Sequence, residues 1–158
     1  MSDHTSKKPL LVGVDGSDSS IAALQQAAEL AVALDCPLEA VMTWDFTYGY
    51  DPRFAEWSPD AGAYPQSEAE KALTAAIAEA FPDEPPLPIA ATVRRGPAAE
   101  VLIHESERAR MLVLGRRGHG GFVGLLLGSV STACSAHAQC PVMIIHAPKI
   151  EKKGRGEG

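Results

Sequence analysis

No apolar run in the 158-residue chain approaches the ~20 residues that a membrane-spanning helix needs. Met1 to Lys8 is polar and lacks the apolar centre of a signal peptide, so no membrane partner and a cytoplasmic location are expected. Cysteine is scarce: Cys36, Cys134 and Cys140 form an odd set without a C-x-x-C spacing. That excludes a disulfide framework and a zinc site of the usual kind. Small buried thiols are expected, with a redox role for Cys134 or Cys140 as the alternative. Positive charge is short, with 14 Lys and Arg against 20 Asp and Glu, a net charge of −6. A broad electrostatic footprint for nucleic acid is therefore not expected. The five histidines, His4, His104, His119, His137 and His146, show no metal-ligand spacing, and none is assigned to a metal or to catalysis.

Aromatic residues are few, and six of the nine lie in one segment, Asp45 to Gln66: Phe46, Tyr48, Tyr50, Phe54, Trp57 and Tyr64. A loop longer than about 12–15 residues is usually functional or mobile. Its aromatics must pack on the body of the protein, on a ligand or on a partner. A lid that orders when ligand binds is one expectation.

What remains is an alternation of strand and helix patterns. Pro9 to Asp15 reads as a buried strand ending in a turn. Ser17, Asp18 and Ser19 offer caps for a helix in which Ile21, Leu24, Ala28 and Ala31 share a face up to Leu34. Pro37 stops it, and Leu38 to Trp44 is a second strand. Ser67-x-x-Glu70 reads as a capping box opening a helix with Leu73, Ile77 and Ala80 on one side. Ile89 to Val93 is a third strand. Gly96-Pro97 opens a helix with proline at its first position, and Val101, Leu102 and Ala109 keep its apolar side. Met111 to Leu114 is a fourth strand, Ser129 to about Ala138 a helix, and Pro141 to His146 a fifth strand. The alternation implies right-handed crossovers and a parallel open α/β sheet, Rossmann-like, with helices on both faces. One domain is expected over residues 1–158, with its core at about 8–147 and mobile ends at 1–7 and 148–158.

The segment after the fourth strand carries six glycines: Gly115, Gly118, Gly120, Gly121, Gly124 and Gly128. Glycine admits close approach of a ligand to the backbone. Freed amides of such a loop make an anion nest, and the start of the next helix adds its dipole. Ser129 and Ser131 put hydroxyls at the same end. These pieces suit a polyphosphate; a plain flexible surface loop is the alternative. A Walker A loop is excluded because no lysine follows a glycine here, and neither G-x-G-x-x-G after the first strand nor G-x-S-x-G occurs.

The spacing Gly115-x2-Gly118-x9-Gly128-Ser129 resembles the ATP-binding signature G-2x-G-9x-G-(S/T) of the universal stress protein family. The run VGVDGS at the first strand and Gly96-Pro97-Ala98 after the third are similar to that family as well. The resemblance covers about residues 8–147 and implies a five-stranded sheet of order 3-2-1-4-5, with a switch point between the first and fourth strands. It implies that ATP is bound, with Mg2+ held mainly by its phosphates. Asp15 stands where the family has its adenine-site aspartate; it either meets the adenine or holds the adjacent backbone, as a turn aspartate would. Thr43 matches a position whose backbone meets the adenine. Gly115 and Gly118 would lie along the ribose and α-phosphate, and Gly128, Ser129, Val130 and Ser131 would hold the β- and γ-phosphates. Arg116, Arg117 and His119 either reach phosphate or stay solvated. The resemblance also implies a homodimer paired through Val142 to Ile145.

Three functions compete. The first is a nucleotide-dependent regulatory module of stress response, acting on an unknown protein partner. The second is an enzyme that hydrolyses ATP slowly, although no base or water-positioning group stands near Ser129. The third is an interaction module whose surface is the aromatic segment and whose nucleotide is only structural.

Overall fold

The computed structural model describes residues 7–45, 64–116 and 127–147. The elements in chain order are β1 (Leu10–Gly13), α1 (Asp18–Leu34), β2 (Leu38–Trp44), α2 (Tyr64–Ala80), β3 (Ile89–Arg95), α3 (Ala98–Ser106), β4 (Met111–Gly115), α4 (Ser129–His137) and β5 (Val142–Ile145). The strands form one parallel five-stranded sheet, as the strand–helix alternation predicts, of order β3-β2-β1-β4-β5, as the family resemblance implies. Leu10 stands beside Leu38 on one side and Met111 on the other, and Leu112 stands beside Val142.

Successive side chains of a strand point to opposite faces, so the sheet separates two cores. Leu10 and Val12 of β1, Leu38, Ala40 and Met42 of β2 and Val113 of β4 pack with Leu24, Ala27 and Ala28 of α1 and Leu73 and Ala76 of α2. Leu11, Val41, Leu112 and Leu114 point the other way, onto Leu102 of α3 and Cys134 of α4. Leu10, Leu11, Val12, Leu112 and Val113 have no exposed surface. Burying one such side chain contributes roughly 1.5–3 kcal/mol. The central strands therefore read as unbroken apolar runs, because both faces are covered.

Several boundaries differ from the sequence reading, each for a local reason. Helix α1 ends at Asp35, which adopts a left-handed conformation (φ 51°), two residues before Pro37. The amide of Cys36 then reaches back to Ala31 O at 3.1 Å, closing the last turn. Ser67 is not a cap, since α2 begins at Tyr64 and Ser67 sits inside its first turn. Pro65 supplies the start signal, because its missing N–H belongs to a turn whose amides have no helical acceptor. Glu70 instead accepts from Gln66 Nε2 at 3.2 Å, an ordinary pairing of residues one turn apart. Tyr64, Pro65 and Gln66 thus belong to a helix and not to the preceding loop. Pro97 is the cap residue of α3, extended at φ −60° and ψ 134°, and not its first helical residue. Ala109 is buried but lies beyond α3. Gly96 has φ 134°, which only glycine adopts readily, and its amide donates to Trp44 O at 2.8 Å.

Candidate functional site

The strand order reverses between β1 and β4, so their following segments leave toward opposite faces of the sheet. β1 leads into α1 on the first face and β4 leads toward α4 on the second. A crevice at the carboxyl ends of the strands is the geometric result. Asp15, Gly115, Arg116 and Gly128 all lie at this end of the sheet.

The β1–α1 turn is built by serines around Asp15. Asp15 Oδ1 accepts from the Ser17 amide at 2.9 Å and from the Ser17 hydroxyl. Ser17 Oγ in turn accepts from the Ser20 amide at 3.3 Å and caps α1. Ser20 Oγ donates to Ser17 O at 2.9 Å. Gly16, with φ 85°, supplies the left-handed residue that lets the chain turn so tightly. Asp15 thus acts on the local backbone as a turn aspartate does. The sequence reading saw Ser17 only as one of several cap candidates and missed Ser20.

β4 ends against this turn. A β-carbon on Gly115 would lie 2.7 Å from Ser19 C and 2.8 Å from Ser19 O, so the strand end and the first turn of α1 approach closer than any side chain allows. The Gly115 carbonyl accepts from Ser131 Oγ at 2.7 Å. Ser131 is only 4% exposed. One residue further on, Arg116 O accepts from the Gly128 amide at 2.9 Å, and the Arg116 amide donates to Ile145 O at 2.8 Å. The two ends of the glycine-rich connection are therefore held together.

Gly128 caps α4 with φ −70° and ψ 168°, backbone that any residue adopts. Its advantage is the lack of a side chain, which leaves no cap over the helix start. The amides of Ser129, Val130 and Ser131 belong to the first turn and have no acceptor within the helix. The two serines expected to act alike do not: Ser129 is exposed, whereas the Ser131 hydroxyl is buried and its proton is committed to Gly115. That moves the Ser131 hydroxyl away from the phosphate role implied by the resemblance, because a donor already used inside the protein is not offered to a ligand. Val130 packs on the second core.

Thr43 lies on β2 in register with Arg94 of β3. Val41 accepts the Val14 amide at 2.9 Å, so its backbone groups face β1. By the two-residue repeat of a strand, Thr43 directs its own backbone groups to the same side, beyond the end of β1 at Gly13. The neighbouring arginines are engaged elsewhere. The Arg95 guanidinium lies 5.6 Å from the centre of the Trp44 ring, within cation–π range. Arg94 Nε donates to Glu105 Oε1 at 3.2 Å. Arg108 joins Glu105 to Glu39, and Glu39 Oε1 accepts from Thr92 Oγ1 at 2.8 Å. Burial works to raise the Glu105 pKa, but the hydrogen bonds and charges of Arg108 and Arg94 outweigh it and hold the carboxyl below the ordinary range. Arg108 is raised in the same way: its burial is outweighed by Glu39 and Glu105.

Arg116 lines a shallow cleft of about 350 Å³ with Ser17, Asp18, Ser19, His146 and Ala147, on the α1 side of the strand end. Gly118, Arg117 and His119 lie outside the described residues, as do residues 46–63 of the aromatic segment. Among the described residues no helix is long and apolar enough to cross a membrane, and no group of three or more His, Cys, Asp or Glu could hold a metal. Cys36 and Cys134 are buried thiols and Cys140 is half-buried.

Comparison with known proteins places the chain. The model of the Universal stress protein family matches residues 7–146. A universal stress protein of Mycobacterium tuberculosis is 34% identical over 141 residues, 89% of this chain and 46% of that protein. The chain thus spans a little under half the length of the curated relatives it matches first. Universal stress protein UspA from Lactobacillus plantarum superposes with a TM-score of 0.69 at 21% identity, covering 87% of this chain and 97% of that one. A universal stress protein solved in complex with cAMP superposes with a TM-score of 0.64 at 26% identity, covering 89% and 97%. The chain belongs to the universal stress protein family.

Proposed function

We propose that this chain binds ATP in the crevice between β1 and β4 and acts as a nucleotide-dependent regulatory module of stress response in the cytoplasm. The observation that carries the reading is the bare start of α4, set beside the pinned end of β4. Helix α1 is capped by its own Ser17, whereas Gly128 leaves the amides of Ser129, Val130 and Ser131 without a side-chain cap. Amides without acceptors at a positive helix end favour an anion.

ATP would lie along this arrangement from phosphates to adenine. The β- and γ-phosphates would lie on the α4 amides and the exposed Ser129 hydroxyl, with Mg2+ held mainly by the phosphates. The ribose and α-phosphate would follow Gly115 and Gly118, with Arg116 at the edge. The adenine would reach toward Asp15 and the backbone of Thr43. Asp15 would act chiefly through the turn it fixes. The relative solved with cAMP supports an adenine nucleotide as the ligand class. The unit would be a homodimer paired along β5, which ends the sheet order. A bare strand edge invites such pairing. A regulatory protein partner would read the nucleotide state.

Mass spectrometry of the small molecule that co-purifies with the protein, followed by calorimetry with ATP, ADP and AMP, tests the ligand. ATP binding at one site per chain is expected. A partner captured equally with and without ATP would remove the regulatory part.

A further inference from the structure

A buried hydroxyl at the crevice, that of Ser131, is left unused by the nucleotide contacts proposed above. Ser131 Oγ, on a residue 4% exposed, donates to the carbonyl of Gly115 at 2.7 Å. This bond ties the first turn of α4 to the last residue of β4, sixteen positions earlier. A second tie runs alongside it, from the Gly128 amide to Arg116 O at 2.9 Å. Thr132 also binds the cap, its hydroxyl donating to Gly128 O at 2.9 Å. On its other side Gly115 lies against Ser19 of α1 without room for a side chain. The starts of both helices that border the crevice are thus referred to one residue, Gly115.

We infer that the Ser131 side chain has a positioning role in nucleotide binding, its hydroxyl acting through Gly115 rather than on phosphate. The inference rests on the nucleotide reading above and deepens it. Without the Ser131 hydroxyl, the start of α4 loses its fixed height above the strand end. The amides of Ser129 and Val130 then no longer meet the phosphates in one prepared arrangement, and part of the binding energy goes into ordering them. A net intramolecular hydrogen bond of ordinary strength corresponds to roughly a three- to tenfold change in an equilibrium constant.

The test uses Ser131→Ala and Ser131→Thr in the full chain. Hydrogen exchange of the Gly128 amide is followed by NMR without nucleotide, and ATP and ADP affinities are measured by calorimetry. Faster exchange at Gly128 in Ser131→Ala, a loss of roughly three- to tenfold for ATP and ADP alike, and recovery of both readouts in Ser131→Thr are expected. Unchanged affinity with a lowered Tm would reduce Ser131 to a structural role and overturn the inference. Lost affinity with unchanged exchange in the nucleotide-free protein would make Ser131 a direct ligand and overturn it as well. If the unmodified protein binds neither nucleotide, the nucleotide reading fails and this inference fails with it, and the exchange comparison alone then reports on the Ser131–Gly115 tie.

Discussion

Gly115 and Ser19 touch so closely that a β-carbon on the glycine would lie 2.7 Å from the serine carbonyl carbon and 2.8 Å from its oxygen. Both partners are backbone, and a helix start does not yield as a flexible side chain would. The close fit sets how near α1 comes to the end of β4, and so the width of the crevice between them. Gly115→Ala is expected to lower stability by about 1–3 kcal/mol, the usual cost of overpacking. Thermal unfolding of the variant beside the unmodified protein checks this. An unchanged Tm would mean that α1 shifts freely on the sheet.

The charged cluster under α3 gives a pH signature. Glu105 is held below the ordinary carboxylate pKa of 4.5 by Arg108 and Arg94, against the opposing effect of its burial. A carboxyl with a lowered folded-state pKa adds stability above its unfolded value and loses it as pH falls through the folded one. Glu105→Gln should therefore be less stable at neutral pH, by about 1–2 kcal/mol because solvent screens the two half-exposed arginines. The difference should shrink steadily as the pH is taken below 4.5. Denaturant titrations at pH 7 and pH 3 read it; an equal gap at both would show that the charge contributes nothing.

The thiols should behave as packing groups. Burial, with a smaller contribution from Cys140, pushes the Cys134 pKa up to about 11. Burial also raises Cys140, against the opposing Leu112 amide and Lys8 charge. The thiolate is the reactive form, so an aromatic disulfide reagent at pH 8 should leave Cys134 unmodified in the folded protein and titrate it in denaturant. Prompt native-state labelling of Cys134 would reopen a redox role for it.

Edge strand β5 bears on assembly. Its residues Val142, Met143, Ile144 and Ile145 are all half-buried in the single chain. Pairing with a second copy would cover them, and light scattering at ~100 μM, well above a micromolar dissociation constant, should report a dimer. A monomer at that concentration removes the β5 pairing.

The strands were the most legible part of the sequence. β2 spans Leu38–Trp44 as its apolar run indicates, and β4 exceeds its predicted Met111 to Leu114 by one residue. Helix starts were less legible, because Ser67-x-x-Glu70 satisfies both a capping box and the ordinary one-turn spacing inside a helix. At the site, the glycine and serine types were readable but their tasks were not. Ser129 and Ser131 look equivalent in sequence, yet two positions on a helix turn the side chain by about 200°, which buries one and exposes the other. Gly115 looked like a ligand glycine, while the geometry shows that contact with Ser19 already demands it. Such contacts join residues far apart in the chain and leave no periodic trace.

A substitution at Asp15 tests which end of the proposed ligand lies on the β1 side. The Asp15 carboxylate fixes the Ser17 amide at 2.9 Å, on the β1 side where the adenine would lie. Asp15→Ala is expected to weaken ATP more than inorganic triphosphate. Competition between the two anions in the variant reads the difference, and equal weakening would move Asp15 to the phosphate end or to general stability.

Calorimetric titration of ATP into the unmodified protein and into Gly128→Val tests the central claim most directly. The backbone at Gly128, φ −70° and ψ 168°, puts no strain on valine, and because the position is buried the fold of the variant is checked first by circular dichroism and thermal unfolding. Its side chain would stand at the start of α4, in front of the amides assigned to the phosphates. One ATP per unmodified chain and no measurable binding in a folded Gly128→Val are the predicted results. A folded variant that binds ATP as tightly as the unmodified protein, or an unmodified protein that binds none, would contradict the account.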